Sequence, residues 1–459
     1  MSRPLLALLI AAALAGCSNA PPIQRYAPPL AGEFTNAAGA SAQEPVAEFW
    51  HGFHDELLDA LVQRALKANS DIRIASANLR EARALGRFAD ANLLPSVDVA
   101  AGAGRVRARN DLGVTQTTNV YSAGFDVAWE ADLFGRLGDA RRAAASNVLA
   151  GAAGLNAAQL SISAEVARNY FELRGLQEQL RVAVLSLDTQ QQSLRLVEVR
   201  EEVGRGTALD TERARALVNS TAARIPALDA ALIRSRYRLA VLCGMPPTAL
   251  DAELETPRPL PGLASVDLGG IGSPASLLRR RPDIQVAEAQ LAAAAAQAGV
   301  ARGALFPQVT LGGTLGQNAA RLGDLHEGAS YAYNLGAQLT WNLLDFGRIR
   351  AQINAADARN EAVTVSYERT VLNALEETEG ALAAYSRTQQ QARLLFDAAR
   401  ASEQAAIIAR ERFAVGTTDF LTVLDAERDL LSARDQLAQA QTGAATSLVA
   451  VYKALAGGW

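Results

Sequence analysis

Histidine, cysteine and methionine are scarce in this chain of 459 residues, at three, two and two. His51, His54 and His326 with Cys17 and Cys243 cannot assemble a zinc or iron–sulfur site without leaning on carboxylates, which argues against a resident metal. Met1 and Met245 provide no thioether ladder for copper or silver ions. Positive charge is not in excess either: 44 Lys and Arg against 48 Asp and Glu leave −4, and the longest basic run is Arg279-Arg280-Arg281. Nucleic acid is therefore not an expected partner. No nucleophile elbow, phosphate-cradling glycine loop or histidine-centred acid–base arrangement occurs, so neither catalysis nor a cofactor is expected. Beyond the N-terminus no apolar run approaches the ~20 residues that a helix needs to cross a bilayer. Any membrane crossing has to be made by strands. At 49% hydrophobic and 20% charged, the composition is that of a folded chain.

The N-terminus reads as an address. Arg3 precedes a short apolar stretch that ends in small residues, as a secretory signal does. Leu14-Ala15-Gly16-Cys17 resembles the bacterial lipoprotein signal, which implies that residues 1–16 are removed and that Cys17 carries a covalent lipid. Ser18, where retained inner-membrane lipoproteins have aspartate, points to the outer membrane. Cys243 is then left without an intrachain partner and reads as a small buried apolar residue. Residues 17–54, with Pro21, Pro22, Pro28, Pro29 and Pro45, read as a lipid-anchored extended segment.

Prolines punctuate the rest. All 16 lie outside 96–225 and 308–459, and Pro246, Pro247, Pro257, Pro259 and Pro261 crowd a Pro/Gly-rich linker at 246–274. On either side stand two copies of one unit, 55–245 and 275–459. Asp71-Ile72 recurs as Asp283-Ile284, Leu93-x-Pro95-x-Val97 as Leu305-x-Pro307-x-Val309, and Trp129 with Phe134-Gly135-Arg136 as Trp341 with Phe346-Gly347-Arg348, each 212 positions on. Gly206-Thr207 matches Gly416-Thr417 at 210, which implies a two-residue difference in length between the copies.

Each copy changes period twice. A helical pattern from Asp55 to about Asn92 has Leu58, Leu61, Val62 and Leu66 on one face, with its counterpart from about Ser276 to Ala304. Two strands follow. In the second strand, Tyr333, Leu335, Ala337, Leu339 and Trp341 alternate with Asn334, Gly336, Gln338, Thr340 and Asn342; Tyr121 to Trp129 echo it against Ser122 to Glu130. A long helix then carries Ile162, Val166, Tyr170, Leu173, Leu176 and Leu180, and in the second copy Val363, Tyr367, Val371 and Leu375. A glycine turn reverses the chain into a returning helix. A sheet with an aromatic-ended apolar face and a small polar face fits the wall of a transmembrane barrel. Four strands cannot close, and open edges are not tolerated in hydrocarbon, so at least about eight strands from two or more chains are required. Three chains give twelve strands and room for a lumen.

These features together resemble the outer membrane factors, the TolC-like channels, in the OprM/NodT-type branch of efflux lipoproteins. The resemblance spans the mature chain and rests on the lipobox at Cys17, the Leu-x-Pro strand openings, the paired Trp and Phe-Gly-Arg elements, Arg279 to Ile284, and Arg412 to Arg428. It implies a mainly α fold with a β-barrel contribution: a homotrimer with a twelve-stranded barrel in the outer membrane and a periplasmic α-helical tube girdled by the linker. It also implies a passive exit duct for drugs or other small toxic compounds, with a membrane-fusion adaptor and an inner-membrane pump of the RND type as partners. Leu421, Asp425 and Arg428 match the periplasmic gate, on one helix face by their spacing. On the 210 spacing Thr211, Arg215 and Val218 are their first-copy counterparts. Gly206, Thr207, Gly416 and Thr417 match the tips where adaptors dock, and Tyr121, Trp129, Tyr333 and Trp341 are the expected aromatic anchors in the lipid. A duct for secreted polypeptides (type I secretion) and a periplasmic adaptor or structural lipoprotein are the alternatives. An adaptor calls for one helical hairpin between lipoyl-like halves, where this chain has two hairpins and two strand pairs.

Overall fold

The computed structural model describes residues 19–23, 25–36, 48–109, 111, 113, 115–260 and 270–456. Cys17, the signal before it and part of the linker lie outside the described residues. The chain divides into two compact units. The first holds Met1–Ala27, Asn78–Ala152 and Val286–Arg369; the second holds Pro28–Ala77, Ala153–Gln285 and Thr370–Trp459.

In chain order the elements are α1 (Glu56–Ala68), α2 (Ser70–Ala91), β1 (Ser96–Arg109), β2 (Thr115–Ala131), α3 (Arg136–Glu202), α4 (Ala208–Leu242), a short α5 (Asp251–Leu254), α6 (Pro274–Arg280), α7 (Pro282–Gly303), β3 (Gln308–Ala319), β4 (Tyr331–Thr340), α8 (Arg348–Ala414) and α9 (Phe420–Ala454). The 212 spacing persists to the end of the repeat. It separates Arg136 from Arg348, Glu202 from Ala414, Ala208 from Phe420 and Leu242 from Ala454. Both long helices have 67 residues and both returning helices 35. The two-residue length difference expected from the Gly-Thr dipeptides is therefore absent.

The helix expected from Asp55 to Asn92 is two helices, broken at Asn69. That residue leaves helical geometry, with φ −57° and ψ 138°, and its side chain accepts from the N–H groups of Asp71 (2.8 Å) and Ile72 (3.3 Å). Such a side-chain cap satisfies donors that a new helix start leaves open. Its Nδ2 donates to Leu242 O at 2.9 Å. In the second copy Arg281 takes this place ahead of Pro282, and its Nη1 donates to Ala454 O at 2.9 Å. Each returning helix thus delivers its C-terminal carbonyls to the joint in its own copy.

The second unit has an apolar core. The predicted face of α3 is in it: Ile162, Val166, Tyr170 and Leu173 are buried, with Leu176 and Leu180 partly so. Phe49, Trp50 and Phe53 also enter the core from a 3-10 turn at Phe49–Phe53, so the end of the segment read as extended is folded. Phe49 stacks on Tyr452 of α9 with ring centroids 5.1 Å apart. Truncating a side chain buried this completely costs on the order of 3–5 kcal/mol. Cys243 is buried here as expected, its Sγ 3.5 Å from Leu61 O, and burial pushes its thiol up to about 11.

Candidate functional site

In the first unit the four strands form one antiparallel sheet in the order β1-β2-β3-β4. Register puts Val97 beside Val127 and Val99 beside Phe125, then Phe125 beside Leu315 and Trp129 beside Leu311, then Leu315 beside Tyr333 and Val309 beside Leu339. The apolar positions of all four strands therefore share one face, as the alternation predicted. That face is bare: Val99, Phe125, Tyr333 and Leu335 are 76, 52, 81 and 85% exposed. Asp98, Asp126, Thr314 and Asn334 form a row on the other face. At 10 to 17 residues the strands meet the ~9–11 that a tilted transmembrane strand needs. Within the sheet β1 and β4 are edges, each paired on one side only. Among the described residues no helix is long and apolar enough to cross a membrane.

Gly124 and Gly316 face each other where β2 of the first copy meets β3 of the second. A Cβ on either would lie 2.6 to 2.8 Å from the opposite backbone. Glycine is required there because the two backbones approach too closely for any side chain.

The four expected aromatic anchors separate into two levels. Tyr121 and Tyr333 lie toward the loop ends of their strands, whereas Trp129 and Trp341 lie at the helix ends. Each indole donates inward, Trp129 Nε1 to Leu93 O at 2.9 Å and Trp341 Nε1 to Leu305 O at 3.0 Å, while its ring stays partly exposed. A tryptophan with its N–H satisfied and its ring face bare suits a boundary between apolar and polar media. Trp341 stands one residue beyond β4, where Trp129 is still within β2.

The second unit carries both helical tips. Gly204 (φ 67°) and Gly416 (φ 76°) end α3 and α8 in the left-handed conformation. Around them Gly204 N–H reaches Glu201 O and Arg205 N–H reaches Arg200 O, exactly mirrored by Gly416 with Phe413 and Thr417 with Arg412, at 2.8 to 3.0 Å. This is the Schellman closure that left-handed glycine permits. Thr207 then caps α4 and Asp419 caps α9. Hydrogen bonding to Thr422 holds the Asp419 carboxyl below its ordinary range.

The tip geometry corrects the pairing made from sequence. Gly416 is equivalent to Gly204, not Gly206, and Thr207 is equivalent to Asp419, not Thr417. The counterparts of Leu421, Asp425 and Arg428 are accordingly Leu209, Arg213 and Ala216; Thr211, Arg215 and Val218 are not. The Gly-Thr dipeptides are a coincidence of side chains, and the unbroken 212 spacing was the signal that would have avoided it.

Leu421, Asp425 and Arg428 share one exposed face of α9, with Arg428 Nη2 3.2 Å from Asp425 Oδ1. Their opposite face packs into a small core of Val197, Phe413, Phe420, Val423 and Leu424. Arg200 closes that core, its guanidinium 4.1 Å from the centre of the Phe413 ring and donating to Phe413 O at 3.0 Å. Charge at a helix C-terminus of this kind is favourable.

The first unit thus presents a bare-faced antiparallel sheet of the kind that lines a membrane barrel, and the second presents two helical hairpins with matching tips. The chain belongs to the outer membrane efflux protein family, whose model matches residues 61–245 and 274–457. It is 35% identical over 431 residues to the pyoverdine export outer membrane protein OpmQ of Pseudomonas aeruginosa, covering 92% of this chain and 90% of that one. Identity to the solvent efflux pump outer membrane protein SrpC of Pseudomonas putida is 31% over 471 residues, covering 100% and 98%. Among solved structures the outer-membrane channel OprN superposes with a TM-score of 0.90 at 38% identity, covering 96% and 99% of the two chains. The CmeC outer membrane channel of Campylobacter jejuni gives 0.91 at 25%, covering 96% and 95%. The protein is an outer membrane efflux channel subunit of TolC-like fold.

Proposed function

We propose that three copies of this chain close a twelve-stranded barrel in the outer membrane and a helical duct in the periplasm, through which small toxic solutes leave passively. The observation that carries this reading is the sheet, with an apolar face left bare and two unpaired edges. In hydrocarbon such edges require partners. The repeats 55–245 and 275–459 each supply two strands and one hairpin, and the linker 246–274 lies at the equator. Cys17 bears the lipid. Asn19, two residues on from Cys17, has its Nδ2 2.6 Å from Phe134 O at the β2–α3 junction, which favours an anchor at that end of the strands.

The tips receive a periplasmic adaptor, and a pump of the RND type delivers the cargo. Relatives named for pyoverdine export and solvent efflux favour small organic solutes over polypeptides. The duct performs no catalysis, and its cargo is chosen by the pump. Leu421, Asp425 and Arg428 form the gate: three copies of Asp425 around an axis repel one another, and each Arg428 offsets that repulsion. Single-channel recording of Asp425→Ala in a planar bilayer tests this. We expect higher conductance and weaker cation preference than the parent; identical values for both would remove Asp425 from the gate.

A further inference from the structure

The two hairpins carry the same interhelical ion pair with its charges exchanged. In the first, Arg215 of α4 lies 3.2 Å from Glu198 of α3, both well exposed. In the second, 212 positions on, Glu427 of α9 faces Arg410 of α8 at 3.9 Å. The first is a surface pair of small consequence. The second differs in kind because Glu427 is only 4% exposed. Its Oε1 accepts a hydrogen bond from Ser193 Oγ of α3 at 2.7 Å, and its Oε2 has no partner. Gln190, one turn earlier on α3, is 2% exposed with both amide atoms unpartnered. A cavity of about 160 Å³ lies among these groups, lined also by Thr189 and Arg410 and by Glu403 and Arg434, which pair at 2.6 Å.

A buried carboxylate with one oxygen unbonded is costly as an anion. Burial accordingly pushes the Glu427 acid up, against the opposing pull of the Ser193 hydroxyl and the Arg410 charge. Asp425 and Arg428 lie within two positions of Glu427 on the same helix, their side chains exposed where that of Glu427 is buried.

We infer that Glu427 is a positioning residue of the gate: in its neutral form it fastens α9 to α3 behind Asp425 and Arg428, and loss of its proton loosens that seam. This rests on the reading of the Asp425 face as the gate. The closed seam retains a proton at pH values where a free glutamate has lost it. It therefore binds more protons than the separated helices, and its stability falls as pH rises from the ordinary glutamate range through the raised value of Glu427.

Two readouts on the full-length trimer in lipid test this. The first is maleimide labelling of Leu430→Cys, a buried position on the cavity wall, divided by that of the exposed Asp429→Cys to remove the titration of the thiol itself. Between about pH 5 and about pH 8 the ratio rises several-fold in the parent background. It stays flat with Glu427→Gln, which keeps an acceptor for Ser193 and cannot ionise, and Arg215→Gln leaves the rise intact. A flat ratio in the parent, or a rise that survives Glu427→Gln, overturns the proposal. The second is channel open probability, which follows the same pH course. Open probability indifferent to pH while labelling rises would overturn the positioning role. A parent that conducts at no pH would overturn the channel reading instead, with the labelling still deciding the seam.

Discussion

The two helical tips share a backbone and differ in chemistry. Glycines at the same left-handed position, the same pair of closing hydrogen bonds and helices of equal length recur 212 positions apart. The side chains on that frame have diverged. Leu209 and Leu421 are both exposed leucines, but Arg213 stands where the second copy has Asp425, and Arg215 where it has buried Glu427. Duplication has thus preserved what the backbone needs to reverse direction and released the exposed positions. The exposed acid Asp425 and the buried acid Glu427 behind it belong to the second copy alone.

Three sets of substitutions break or sharpen that comparison, in descending order of effect. Gly206→Ala places a Cβ 2.8 Å from Glu201 N, against backbone that has little room to yield. It should cost at least about 2 kcal/mol of local stability, whereas its counterpart change Thr418→Gly should cost only a few tenths. Hydrogen exchange of the amides around each tip reads both, and equal effects would mean that the two turns are alike in packing as well as in path. Next, Gly204→Ala and Gly416→Ala meet nothing within 4 Å, so only the left-handed backbone is penalised. Each should lose about 1–2 kcal/mol, by matching amounts in the two tips. A large inequality would show that one turn draws on contacts the other lacks. Smallest is Arg428→Gln, which removes a 3.2 Å pair between half-exposed or more exposed side chains and should change tip stability by less than about 0.5 kcal/mol. Its effect should appear in conductance instead.

Much of this was legible in the sequence because the repeat and the alternation are signals that side chains repeat in register. The four strands, their apolar face, the long helices and the buried stripe from Ile162 to Leu173 all followed from periodicity. The tip register did not, because the Gly-Thr dipeptide is repeated at the wrong spacing and φ, which singles out Gly204, leaves no trace in composition. The break at Asn69 was hidden for a related reason: the apolar period runs on through it, and the bond that ties its amide to Leu242 O joins positions distant in sequence. The hydrogen bond from Ser193 to Glu427 joins the two copies, and no pattern within either copy points to it.

The central claim is that one chain leaves its lipid-facing wall unfinished. Light scattering coupled to size exclusion, on protein extracted in mild detergent with the detergent mass subtracted, tests it most directly. The account predicts a single species of about three times the mass of the mature chain, somewhat below three times 48.4 kDa once the signal is removed. A stable, monodisperse monomer would contradict it.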